Sequence, residues 1–322
     1  MAEAVTFNIE EVMEAASARD LANIELFKMA EEGIEFAVVT VDEPQKSKLG
    51  QLSQKYPERC FDVGIAEPDA VGVGAGLALG GKTTYVTGFG PFLSLRATDQ
   101  IHTDVAYNDV PVRMIGTHSG LTSGGGPTHF AICDMAIMRS IPNITLCVPS
   151  DAMQAVRLMR ATISHPGPMY IRLPRGEEPL VYENQDYDYK IGKAVIAREG
   201  TDVAVIACGP CVAYAVTAAG RLAKEGVSVK VIDMHTVKPL DADAVLAAAK
   251  IGAVITAEDH SIIGGLGDAV SAVLAEAGLG IKFKKLGVPD HFSSVGYPDM
   301  LHAYYGYDAD GIVAAIKKLL GK

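Results

Sequence analysis

The sequence predicts an α/β protein built as two consecutive, mostly parallel sheet domains flanked by helices. Three observations carry this. Val-, Ile- and Ala-rich strand runs alternate with Ala-rich helical stretches along the whole chain. The length of 322 residues suits about two domains, each large enough to bury a core. An acidic, aromatic stretch without periodicity, GEEPLVYENQDYDYK, interrupts the alternation. The expected division is a first domain at 1–176, a linker at 177–192 and a second domain at 193–322.

Taken in order, residues 9–32 read as a helix, broken near Asp20 and Asn23. EFAVVTV is a strand, KLGQLSQKY a short helix and RCFDVG a strand. EPDAVGVGAGLALGG follows as a helix, with Pro68 at a position that favours helix starts. KTTYVTG is a strand, 92–107 a helix and PVRMIGT a strand that runs into a glycine-rich loop. Helix 130–139, strand ITLCVP, helix 151–163 and strand MYIRL complete the first unit. The second restarts at DVAVIACG and continues through the strands VSVKVIDM, GAVITAED and IKFKKLGV to the closing helix DGIVAAIKKLL.

Composition narrows the function classes. A net charge of −11 argues against nucleic acid or an anionic membrane as the main partner, while leaving room for local arginines to hold a small anion. No apolar run reaches a transmembrane length. The amino terminus shows no basic segment followed by an apolar one, so we expect a cytoplasmic enzyme. Five cysteines in a chain this long do not form a disulfide framework.

Three short patterns point elsewhere and are set aside on structural grounds. GLALGGKT (76–83) matches a phosphate loop, but that loop needs a strand before it and a helix after it, and the order here is reversed. CGPC (208–211) sits where a dithiol would, although a tight strand-to-helix turn explains it as well. GVGAGLALGG lacks the third glycine of a dinucleotide fingerprint and reads as a closely packed helix.

The chemistry concentrates in two segments. GTHSGLTSGGGPTH (116–129) places His118 and His129 at either end of a glycine-rich loop. Glycines let backbone approach a ligand, and histidine exchanges protons near neutral pH. FDVGIAEPD places Glu67 at the end of a short strand and the start of a helix. Taken alone, Glu67 also suits a helix start, Phe89 and Phe92 suit a core, and Arg175 suits a surface ion pair.

Longer strings add a likeness to a known family, which leaves those plainer readings open. DVGIAE, GFGPFLSLRATDQ, THSGLTSGGGPTHF, SIPNITLCVPSD and RLPRG resemble the pyrimidine-binding domain of transketolases, and AEDHSIIGGLGDAV with LGVPDHFSSVG resembles their carboxy-terminal domain. The resemblance implies the thiamine diphosphate pyrimidine-binding fold followed by a transketolase C-terminal-like domain. It implies that Glu67 hydrogen-bonds the aminopyrimidine, with Phe89, Phe92 and Arg96 lining its pocket. His118 and His129 would face the sugar carbonyl and hydroxyls. Arg175 would grip the sugar phosphate, with Ser47 and Arg172 as further candidates.

The resemblance also marks what is missing. Family members bind Mg²⁺ (or Ca²⁺) and the diphosphate through a Gly-Asp-Gly segment with a downstream Asn, and no Gly-Asp-Gly occurs here. The implied protein is the carboxy-terminal subunit of a split transketolase, with no metal site of its own. Its partner would be the amino-terminal, metal-binding subunit, joined in a heterotetramer acting on sugar phosphates. One departure stands out: the family's loop carries an acidic residue where this chain has Gly125, which bears on the choice of sugar. The rival readings are a 2-oxo-acid dehydrogenase β subunit, a deoxyxylulose-phosphate synthase-like enzyme, a non-catalytic binding subunit, and a dithiol oxidoreductase built on Cys208 and Cys211.

Overall fold

Short β-branched runs form the strands, and the Ala- and Gly-rich runs between them form the helices that cover both sheet faces. The computed structural model describes residues 17–42, 49–176, 178–182 and 187–322. The first half runs α1 (Ala18–Glu31), β1 (Ala37–Thr40), α2 (Gly50–Lys55), β2 (Cys60–Asp62), α3 (Glu67–Leu79), β3 (Thr84–Phe89), α4 (Gly90–Arg96), β4 (Val112–Thr117), α5 (Asp134–Ser140), β5 (Thr145–Cys147), α6 (Ala152–Thr162) and β6 (Met169–Arg172). The second half runs β7 (Val195–Arg198), β8 (Val203–Ala207), α7 (Cys211–Ala223), β9 (Val229–Asp233), β10 (Thr236–Lys238), α8 (Ala242–Ala249), β11 (Ala253–Ser261), α9 (Leu266–Glu276), β12 (Lys282–Val288), α10 (Pro298–Tyr305) and α11 (Ala309–Leu320).

The strands form two sheets, ordered β10-β5-β6-β4-β3-β1-β2 and β12-β11-β8-β9-β7. Every pairing is parallel except β10 with β5 and β7 with β9. Buried on both faces, β4 shows no polar alternation: all six of its residues are inaccessible. α3 lies close to this sheet because Gly74 has no side chain. A Cβ there would fall 2.5 Å from Val86 Cγ2.

The halves are less separate than the sequence suggests. β10 follows β9 in the chain but crosses to the first sheet, where Thr236 pairs with Cys147. One apolar cluster accordingly runs from Val86 and Met114 to Ile206, Val254 and Val270. The described part of the 177–192 stretch is tied down along the seam. Glu178 accepts the Ala18 N–H at 2.8 Å, Tyr182 donates to Asp233 at 2.8 Å, and Tyr189 stacks on His235.

Local differences from the expected elements have identifiable causes. α1 is unbroken from Ala18: Ser17 caps it, and Asp20 falls in the first turn, where an acid suits the helix dipole. The part of that predicted helix before Ser17 lies outside the described residues. The expected helix at 92–107 is three pieces, α4, a turn at Thr98–Gln100 and a π-helix at Ile101–Ala106. Thr98 Oγ1 bonds back to the Ser94 carbonyl at the first break. The expected helix from 130 begins only at Asp134, after a 3₁₀ turn at Pro127–His129.

Candidate active site

Parallel strands β1 to β4 end on one edge, the usual place for ligands in such sheets. Glu67 begins α3 just past β2, Phe89 ends β3, and Phe92 and Arg96 belong to α4. His118 follows β4 directly. The β3–β4 register sets Phe89 beside Thr117, so Phe89 and the His118 ring meet with centroids 4.0 Å apart.

The other predicted residues close around this pair. Phe92 lies near-parallel to Phe89 at 6.0 Å and takes His129 edge-on at 5.0 Å. Arg96 spreads over the Phe92 ring at 4.1 Å, and its Nη1 donates to both Glu67 oxygens at 3.2 Å. Glu67 is only 2% exposed, and Arg96 is the partner its carboxylate has among the described residues. A carboxylate retains capacity for further donors after one such contact. The structure thus assembles six residues from four separate segments: a buried acid, two ring faces, one cation and two imidazoles.

His118 is the strained member. Its φ is +56°, a backbone region that side-chain-bearing residues seldom adopt and that clusters at functional sites. Its Nδ1 pairs with Thr117 Oγ1 at 3.0 Å. Burial, helped by the charges of Arg19, Arg175 and His129, pushes its pKa down to about 3. The ring is therefore neutral near pH 7, suited to donating or accepting one hydrogen bond. His129 Nδ1 pairs with Thr128 Oγ1 at 2.9 Å. Gly125 is integral to its placement, since a Cβ there would fall 2.5 Å from His129 Cγ.

The anion candidates separate. Arg175 is exposed beside the glycine loop, its backbone N–H bonded to Thr122 Oγ1 at 3.0 Å. It faces a cleft of about 740 Å³ shared with Tyr214, Tyr297 and His302. Arg172 is placed differently, in the buried seam. Its guanidinium donates to Asp134 at 2.9 Å and to the Ala131 and Asp259 carbonyls at 2.8 Å each, leaving it no role at an open anion site. Ser47 lies outside the described residues. Asp259 was not singled out by sequence; the signal was Glu-Asp-His, three ionisable residues in succession on an apolar strand.

The patterns set aside behave as structure. α3 stops at Leu79 and a strand follows, so Gly76–Thr83 forms no phosphate cradle. Cys208 and Cys211 are free and buried, and burial pushes both thiols well above their ordinary pKa. That is the reverse of what a reactive dithiol needs. Among the described residues, no group of three or more His, Cys, Asp or Glu side chains is arranged to hold a metal, and no helix is long and apolar enough to cross a membrane.

Comparison with known proteins decides the family. The transketolase pyrimidine-binding domain matches residues 14–179, and the transketolase C-terminal domain matches 192–312. The chain belongs to the transketolase family. Among its transketolase relatives, the 6-deoxy-6-sulfo-D-fructose transketolase subunit SqwH of Clostridium sp. is 40% identical, with 90% of each chain covered. An apulose-4-phosphate transketolase subunit of Phocaeicola vulgatus is 36% identical over 89% of this chain and 92% of the relative. A 1-deoxy-D-xylulose-5-phosphate synthase of Geobacter sulfurreducens is 38% identical, but this chain spans 48% of its length. The solved structure of a split-gene transketolase, described as an inactive β4 tetramer, superposes with a TM-score of 0.86 at 36% identity, covering 95% of this chain and 98% of that one.

Proposed function

We propose that this chain is the carboxy-terminal subunit of a two-chain, thiamine diphosphate-dependent transketolase, moving a two-carbon ketol unit from a ketose phosphate to an aldose phosphate. The observation that carries the reading is the buried Glu67 carboxylate beside the Phe89–Phe92 ring pair, faced by His118 and His129. A flat nitrogen heterocycle fits such a donor set: rings for its face and an acid for its ring nitrogen. Glu67, Phe89 and Phe92 would hold the aminopyrimidine, and Arg96 would share the Glu67 carboxylate or give way to it. Thiamine diphosphate, when bound, supplies the carbon chemistry of ketol transfer. Glu67 holds a proton at the pyrimidine ring nitrogen. Neutral His118 and the half-buried His129 hydrogen-bond the sugar carbonyl and hydroxyls, passing a proton as the carbon–carbon bond breaks. Arg175, exposed beside the loop, binds the anionic end of the sugar.

Mg²⁺ and the diphosphate fall to an amino-terminal partner subunit, because the chain contains no Gly-Asp-Gly segment. The relatives named as subunits of transketolases support a partner chain, the β4 tetramer of the structural neighbour supports self-association, and the two together suit a heterotetramer. Gly125, where an acid would collide with His129, supports a sugar whose hydroxyls are read differently from those of pentose-phosphate transketolases.

The test is reconstitution with the partner, thiamine diphosphate and Mg²⁺, scored for ketol transfer across a panel of ketose phosphates and sulfonates. Glu67→Gln should lower turnover by at least ~10²-fold, the scale of a lost acid–base group. Retained turnover in that variant would remove Glu67 from the chemistry. The likeness to the deoxyxylulose-phosphate synthase makes a 2-oxo-acid donor the alternative to include, and turnover with that donor alone would favour it.

A further inference from the structure

The loop that carries His129 belongs to the first domain, yet its neck is held from the second. Gly120 and Ala131 exchange two backbone hydrogen bonds, at 3.0 and 3.2 Å, that close loop 121–130. Against this neck lies Asp259, near the end of β11 and 2% exposed. Its carboxylate accepts the Leu121 N–H at 3.1 and 3.3 Å and the Tyr307 hydroxyl at 2.8 Å. His302 Nε2 stands at an ion-pair distance of 3.6 Å, with Tyr214 hydrogen-bonded to the other ring nitrogen at 2.9 Å. The Asp259 carbonyl accepts from Arg172, which also holds the Ala131 carbonyl. The fit is close: Gly120 has a φ of +71°, and a Cβ there would fall 1.8 Å from Asp259 Oδ2.

We propose that Asp259 is a positioning residue for the substrate-facing loop, its carboxylate fixing the Leu121 end of that loop and hence the spacing between His118 and His129. The consequence for turnover rests on the transketolase reading above; the clamp itself does not. A hydrogen bond from an N–H to a carboxylate is charge-assisted and stronger than a neutral one. In Asp259→Asn the amide oxygen is a neutral and weaker acceptor for the buried Leu121 N–H, so the loop opens more readily. Tyr307 and His302 hold the carboxylate from the far side, so the second domain sets the shape of a site built on the first.

The experiment is hydrogen exchange on the full isolated chain, comparing native protein with Asp259→Asn and Tyr307→Phe. Asp259→Asn should speed exchange by about tenfold in peptides covering 119–131, with β8 and α7 unchanged. In the reconstituted enzyme, kcat/KM for the donor sugar should fall by ~10²-fold, the cost of misplacing a catalytic group by about 1 Å. Thiamine diphosphate affinity should stay native, which a general loss of structure would not allow. Native exchange in the loop of Asp259→Asn overturns the proposal. Should Asp259→Asn exchange faster throughout, Tyr307→Phe decides: faster exchange confined to 119–131 supports the clamp, and a native pattern overturns it. If the native assembly transfers no ketol unit, the transketolase reading fails, and the exchange data alone settle the clamp.

Discussion

His118 combines a left-handed backbone, burial and a pKa held near 3. The sign of the linkage follows from the direction of that shift. An unfolded histidine titrates near ~6.5, so the fold favours the neutral ring. The stability this gives is complete above about pH 6.5 and is lost as pH falls from there toward 3. Between pH 8 and 5, the His118 ring resonances of the isolated chain should therefore keep neutral-imidazole shifts. A midpoint near 6.5 would show that the imidazole is solvated rather than enclosed. In the proposed reaction, a neutral ring can donate to a substrate oxygen through one nitrogen while the other is engaged with Thr117.

Elements place these residues, and their legibility in the sequence varied for physical reasons. The Glu67 turn was readable because Pro68 and an unbroken Gly/Ala run mark a helix start regardless of what surrounds it. β10 was not readable. Its three residues carry no periodicity, and only the tertiary fold shows that they extend the other domain's sheet. Arg172 and Arg175 looked alike within one short motif, since local sequence does not say where a strand's burial ends. Arg172 closes β6 and is 2% exposed, whereas Arg175 emerges into solvent three positions later. This difference has an energetic signature. Arg172→Met leaves Asp134 charged and buried without its cation, which should cost about 3–5 kcal/mol. Adding Asp134→Asn should recover part of the loss. Urea unfolding midpoints measure both, and a loss under about 1 kcal/mol for Arg172→Met would mean that the pair is solvated.

At the scale of the whole molecule, the sequence carried the two-sheet plan and the six candidate residues that the fold brings together, but not how tightly the halves join. The half-burial of Tyr182, Tyr187 and Tyr189, the crossing of β10 and the hold of Asp259 on the glycine loop all depend on distant contacts. Unburied surface matters as much. Ile65 just before α3, Leu79 at its last residue, Leu95 within α4 and Tyr107 after the π-helix are 73%, 65%, 55% and 83% exposed. Large apolar side chains scattered singly need no explanation, but four between 65 and 107, taken with the proposed subunit role, lead us to expect contact with another subunit in this part of the chain. In α3, Gly72 and Gly76 add to it, with open space around the position of a Cβ, so that a second helix could approach closely. The isolated 33.9 kDa chain should consequently sediment as a multiple of its own mass at micromolar concentration. Tyr107→Glu, placing a charge there, should shift it toward monomer and weaken assembly with the proposed metal-binding partner. Monomeric native chain, or a Tyr107→Glu variant that assembles as the native chain does, would mean that these side chains serve some purpose other than subunit contact.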